Sequence, residues 1–108
     1  MALNFTVELT AKAKQDLRCL HDYIVDQYQN PKDASKLLER LTSAAKSLAV
    51  FPKMHRVRKK DSNGREIRFF PVDDYVIIYF VDERKQLVSI MHFCHGRRDF
   101  AREILGEL

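Results

Sequence analysis

The chain has 108 residues, 45% of them hydrophobic, which is enough for one domain with one packed core. Three Gly and three Pro argue against a disordered or repetitive chain, and two Cys are too few for a disulfide framework. The formal net charge is +4, and residues 53–68 hold seven Lys and Arg against two acidic residues. We predict a single soluble, cytoplasmic domain over 1–108, because the sequence has no signal peptide and no apolar run near the ~20 residues of a membrane helix.

The first half of the sequence predicts one strand and two helices. Asn4–Leu9 alternates apolar and polar residues, which is typical of a half-buried strand. Thr10 suits a helix cap, and the apolar residues that follow have helical spacing: Ala13, Leu17, Leu20, Ile24 and Tyr28. After Asn30, a capping residue, Pro31 fits the first turn of a second helix, which ends at Phe51-Pro52. The short link between the helices predicts an antiparallel helical hairpin.

The second half changes to the two-residue period of strands. Glu66–Phe70 predicts a strand that Pro71 ends. Tyr75–Val81 is almost wholly apolar, which indicates a central strand covered on both faces, or partly by a partner. Leu87–Cys94 predicts the next strand, and Arg97–Leu108 a short helix. The predicted fold class is α+β in the order βααβββ, with the helical hairpin packed on an antiparallel sheet and a short C-terminal tail helix.

The sequence predicts neither a metal site nor a cofactor. It contains no nucleotide-binding, zinc-finger or hydrolase motif. His92 and His95 are three residues apart at the end of a strand, where alternation points their side chains to opposite faces. Cys19 and Cys94 are interpreted as core thiols of a protein in a reducing compartment.

A short charged cluster follows the last predicted strand: His95, Gly96, Arg97, Arg98 and Asp99. The two arginines offer donors suited to phosphate or carboxylate, and the histidine can exchange a proton near neutral pH. The alternative is a C-terminal turn in which the aspartate neutralises one arginine.

The basic segment 53–68 has several interpretations. It can meet nucleic acid or an acidic protein, or it can be a solvated loop. A module that binds naked nucleic acid through this segment ranks last, because the segment lacks interleaved aromatics other than Phe69 and Phe70 beside it.

An ordered series of segments resembles a known family. An alternating strand precedes "TAKAKQDL", and "LAVFP" closes the second helix; "REIRFF", "DYVIIYFVDE" and "VSIMHFCHGRRD" follow. This series is similar to the RelE/ParE superfamily of toxins, nearer its ParE-like branch, and covers nearly the whole chain. The resemblance implies a type II toxin that forms a hetero-oligomer with a cognate antitoxin protein.

The superfamily implies two activities. ParE-like members inhibit DNA gyrase by binding, whereas RelE-like members cleave mRNA on the ribosome. RelE-like enzymes usually carry Arg after the aromatic that starts the central strand, where this chain has Val76 after Tyr75, and often a tail Tyr, which this chain lacks after Tyr79. These departures favour the gyrase inhibitor, with the ribosome-dependent endoribonuclease as the alternative.

The resemblance and the charge pattern together assign candidate site residues. If the chain is a ribonuclease, the catalytic candidates are Arg68, His95 and Arg98, with the histidine as base and Arg68 stabilising the developing charge. The candidates for binding the target or nucleic acid are Arg58, Lys59, Lys60, Arg65 and Arg97. The antitoxin is expected on the apolar run and the basic segment, with the contacts Tyr75, Ile77, Tyr79 and Arg56.

Overall fold

A helical hairpin lies against one face of a five-stranded sheet in the computed structural model, which describes residues 4–28 and 31–95. The elements in chain order are β1 (Thr6–Leu9), α1 (Ala11–Tyr28), α2 (Pro31–Ser47), β2 (Val57–Lys60), β3 (Glu66–Val72), β4 (Tyr75–Asp82) and β5 (Leu87–His95). The strand order is β1-β5-β4-β3-β2, with β1 parallel to β5 and the other neighbours antiparallel. The predicted α+β class, with helices packed on one sheet, is therefore confirmed. The predicted tail helix and the predicted cap Asn30 lie outside the described residues.

The helices form where the apolar stripes predict them. Thr10 caps α1, because its hydroxyl accepts a hydrogen bond from the Ala13 N–H at 3.1 Å and donates one to the Met91 carbonyl at 3.2 Å. Most of the apolar stripe of α2 is buried, at Ala34, Leu37, Leu41 and Ala45, and Leu38 is half-buried. This helix ends at Ser47, four residues before the predicted Phe51. In the described part of the chain, no helix is both long and apolar enough to cross a membrane.

The sheet buries apolar side chains on both faces. On the face beneath the helices, which we call the helix face, the buried residues include Ile77, Tyr79, Val88, Ile90 and Phe93. On the opposite side, the second face, they are Ile67, Phe69, Ile78 and Cys94. The central strand β4 contributes to both clusters, as its almost wholly apolar sequence predicts.

Two strand predictions need correction. The strand β2 was not predicted, because three of its four residues are Arg or Lys and it has no apolar alternation. It forms because its backbone pairs with β3, between Val57–Arg68 and Lys60–Glu66. Pro71 does not end β3, which continues to Val72. At that point β2 no longer pairs with β3, and a residue without an N–H is tolerated on an unpaired edge.

The two cysteines lie in different environments. Cys94 is buried on the second face, as predicted, and burial, followed by the negative charge of Asp16, raises the pKa of its thiol to about 11. Cys19 is exposed, so its prediction as a core thiol is wrong. Cys19 is not part of the apolar stripe of α1, and helical residues outside that stripe face solvent.

Candidate functional site

Three of the five predicted target-binding residues meet on one face of the β2–β3 hairpin. Val57 lies opposite Arg68 and Lys59 opposite Ile67, so a bulge at Arg58 adds one residue to β2. Directly paired residues share a face, so Lys59 lies on the second face with Ile67. Arg58 reaches the same face, where its guanidinium lies 5.4 Å from the centre of the Phe69 ring. The bulge therefore places two consecutive basic residues on one face.

The turn of this hairpin adds a third basic residue. Asp61 accepts hydrogen bonds from the backbone N–H groups of Asn63 (3.0 Å) and Arg65 (2.9 Å), and from the Arg65 Nε at 2.6 Å. Its partial desolvation raises the pKa of Asp61, but these hydrogen bonds outweigh it and lower the pKa overall. The Arg65 guanidinium then lies 4.5 Å above the Phe80 ring.

We call Arg58, Lys59 and Arg65 the basic surface, since all three are on or beside the second face. Lys60 pairs with Glu66 and falls on the alternate face, so it is not part of it. Arg97 lies outside the described residues. The target-binding role of these residues stays a prediction.

Arg68 has a structural role that its sequence context did not reveal. Its Nη1 donates to the backbone carbonyls of His55 at 2.6 Å and Lys53 at 3.4 Å. Beside it, the Tyr79 hydroxyl donates to the Pro52 carbonyl at 3.0 Å. Burial raises the pKa of Tyr79 to about 12, so the hydroxyl stays protonated and able to donate. Both side chains thus hold the loop of residues 51–56 against the helix face.

His55 is held in that loop by stacking on Phe70, with ring centres 3.9 Å apart. Its Nε2 is buried and has no hydrogen-bond partner among the described residues. Burial lowers the pKa of His55, because the charged imidazolium would lose solvation there.

We expect His55→Phe to raise the free energy of unfolding at pH 8 by about 1 kcal/mol, since it removes an unpaired buried nitrogen and keeps the stack. A lowered pKa means that the unfolded chain binds the proton more tightly, so the wild type loses stability as pH falls below the unfolded value of 6.5. The variant should lack that loss in urea titrations across this range. His21→Phe, on the surface of α1, is the control and should keep it. A His55→Phe variant with the wild-type slope would contradict this assignment.

The three predicted catalytic residues are not brought together within the described chain. Arg68 lies opposite Tyr79 and His95 opposite Tyr75, on the two sides of β4. Four residues along β4 and two strand spacings across it separate the Cα atoms of Arg68 and His95 by roughly 16 Å. His95 contacts the Tyr75 ring edge-on at 5.2 Å. Arg98 lies outside the described residues. The catalytic role stays a prediction, and the separation of Arg68 from His95 argues against it.

The predicted antitoxin contacts divide by burial. Ile77 and Tyr79 are each 0% exposed and belong to the core of the helix face. Tyr75 is half-buried and Arg56 is exposed. The antitoxin-binding role stays a prediction, but in this arrangement only Tyr75 and Arg56 have surface that a partner can reach.

Sequence reasoning missed Asp16, the one charged residue in the buried class among those described. One oxygen accepts a hydrogen bond from the Phe93 N–H at 3.2 Å and lies 3.4 Å from the His92 Nδ1, and the other lies 3.0 Å from the Lys12 Nζ. Burial raises the pKa of Asp16, but these contacts outweigh it and lower the pKa overall. A polar residue three positions after Ala13, on the apolar stripe itself, was the available signal.

His92 and His95 do not form a metal site with their neighbours. Within residues 4–28 and 31–95, no three His, Cys, Asp or Glu side chains are grouped closely enough to hold a metal ion.

The same arrangement of strands and helices occurs in solved toxin–antitoxin systems. A chain of the chromosomal ParDE toxin–antitoxin system of P. aeruginosa superposes with a TM-score of 0.69 at 17% identity, covering 84% of this chain and 95% of that one. The RelBE2 toxin–antitoxin complex of Mycobacterium tuberculosis superposes with a TM-score of 0.65 at 19% identity, covering 88% and 94%. These similarities show that the chain shares its fold with proteins of these two toxin–antitoxin systems. No curated protein matches the sequence significantly.

A sequence-family match assigns the chain more specifically than the shared fold does. The family model of the ParE toxin of the type II toxin–antitoxin system parDE matches residues 7–100. The chain belongs to this family of type II toxins.

Proposed function

We propose that the chain is a ParE-like toxin that inhibits growth by binding DNA gyrase, and that a cognate antitoxin neutralises it as a hetero-oligomer. The membership of the ParE family and the solved complexes of similar toxins support an antitoxin partner. The gyrase target is what the resemblance implies for ParE-like members.

The separation of Arg68 from His95 carries the choice of target. In RNA cleavage, the base and the group that stabilises the phosphorane must reach one phosphate. Here the two Cα atoms are roughly 16 Å apart on opposite sides of β4. The Arg68 guanidinium is also engaged with the loop carbonyls of Lys53 and His55. Val76, where RelE-like enzymes usually carry Arg, points the same way. A protein-binding toxin needs no such convergence.

The basic surface is the proposed contact with the target. The Phe69 ring lies against Arg58, and the Phe80 ring and Asp61 contact Arg65, so these two side chains lose little conformational entropy when a partner binds. Fixed positive charge suits an acidic protein surface or the DNA that gyrase carries.

We expect the purified toxin to inhibit supercoiling by gyrase, and Arg58→Gln with Arg65→Gln to raise the concentration required about tenfold. Each exposed charge pair contributes about 0.7 kcal/mol, so two lost pairs correspond to about one decade. Glutamine keeps part of the aliphatic packing over the rings. The measurement is a titration of toxin in a plasmid supercoiling assay.

Arg84→Gln with Lys85→Gln is the matched control, because it removes the same charge from the exposed β4–β5 turn. That variant should keep the wild-type potency. Cleavage of mRNA on ribosomes by the wild type, with no effect on gyrase at micromolar concentration, would contradict the proposal and support the ribonuclease.

A further inference from the structure

Three exposed apolar side chains follow α2 on the loop of residues 51–56 and the turn before it. Val50 is 54% exposed, and Phe51 and Met54 are each 61% exposed. Together with Phe5 and Pro52 they line an open groove of about 540 Å³. A contiguous apolar surface of this kind marks an interaction site more often than scattered single residues do.

The groove is formed by structure that is already fixed. The Phe5 N–H donates to the Ala49 carbonyl at 2.8 Å, which joins the segment before β1 to the turn after α2. The Tyr79 hydroxyl holds Pro52 on the other side. Because the core anchors both walls, a partner would bind the groove without first ordering it.

A polar cavity of about 350 Å³ adjoins the groove. The two share Lys53 and Glu83, which form an ion pair, and the cavity also takes in Arg65, Arg68 and Glu66. Much of its lining comes from the segment 53–68, which contains seven basic residues and only two acidic ones. A second copy of this chain, with its net charge of +4, would bring like charges together here. Charge complementarity therefore favours an acidic partner.

We propose that the groove lined by Phe5, Phe51 and Met54 binds an amphipathic segment of the antitoxin. Its apolar side chains lie against Phe51 and Met54, and its acidic side chains face the basic residues beyond Lys53. This inference rests on the antitoxin partner of the proposed function and is independent of gyrase. The sequence predicted that the antitoxin contacts the apolar run of β4, which is largely buried. The proposed apolar contact is instead the exposed groove after α2.

The test measures the affinity of the full-length toxin for the protein encoded by the adjacent reading frame, by titration calorimetry. Phe51→Ser with Met54→Ser should weaken binding on the order of 100-fold, as expected for two interface hot spots. The double variant should fold normally, since both side chains are largely exposed. Tyr23→Ser is the matched control, because Tyr23 is 49% exposed on α1, away from the groove, and this variant should bind like the wild type.

Two further readouts separate the outcomes. The double variant should inhibit gyrase like the wild type, but the antitoxin should fail to reverse that inhibition. If antitoxin binding depends on the groove while neither the wild type nor the variant inhibits gyrase, only the gyrase proposal fails. Equal affinities of the double variant and the control would overturn the groove assignment alone, and absence of wild-type binding would overturn the partner with it. A wild type that dimerises in sedimentation, through Phe51 and Met54, would assign the groove to a second copy instead.

Discussion

Tyr79→Ala is expected to lower the free energy of unfolding by about 4 kcal/mol, a large part of the stability of a domain of this size. Tyr79 is fully buried in the central strand, and alanine would leave a cavity beneath the helical hairpin. The variant would also free the Pro52 carbonyl, and with it one attachment of the loop of residues 51–56. Urea unfolding followed by circular dichroism measures the loss.

Tyr79→Phe separates the two contributions. It keeps the ring in the core and removes only the hydroxyl, so we expect a loss of about 1 kcal/mol. If Tyr79 instead served only as an antitoxin contact, both variants would keep the stability of the free toxin and lose antitoxin affinity. Measuring stability and affinity on the same preparations distinguishes the core role from the interface role.

Asp16→Ala is expected to cost about 3 kcal/mol of unfolding free energy, because it leaves the Phe93 N–H without its acceptor and removes the contacts to His92 and Lys12. Asp16→Asn keeps an acceptor oxygen and should cost about 1 kcal/mol. Asp22→Ala, at an exposed position on the same helix, is the control and should change stability by less than about 0.5 kcal/mol. An Asp16→Ala variant as stable as that control would refute this role.

The pH dependence gives an independent check on Asp16. Its pKa in the folded protein lies below the unfolded value of 3.8, so its stabilisation is complete above pH 3.8 and is lost as pH falls through the folded pKa. We therefore expect the wild type to lose stability more steeply than Asp16→Asn below pH 3.8, with parallel curves above it. Unfolding titrations at a series of acidic pH values measure the difference.

Periodic apolar residues made most of the fold predictable. The α2 stripe, the alternation before α1 and the apolar run of β4 each state which side of an element is buried, and the structure agrees at each. The strand β2 lacks that signal, because its residues are held by backbone pairing with β3 and not by apolar burial. A strand of this kind can be predicted only when the position of the neighbouring strand is known.

The site was harder to predict for a related reason. Sequence identifies residue types such as Arg68 and His95, but only the register of the sheet shows that they lie on opposite sides of β4. The burial of Ile77 and Tyr79 depends likewise on the helices above them. Phe51 was predicted to end the second helix, whereas α2 ends at Ser47 and Phe51 is exposed on the loop that follows, as is Met54.

The parallel pairing of β1 with β5 has a consequence for the order in which the chain folds. Thr10 donates to Met91, 81 positions later, and the Thr6–Leu87 register is set over a similar separation. Such contacts close a loop that includes nearly the whole domain, and contacts of high sequence separation slow folding. During synthesis, β1 has no strand to pair with until β5 leaves the ribosome. The sheet, and any activity that depends on it, is therefore completed only after β5 has been synthesised.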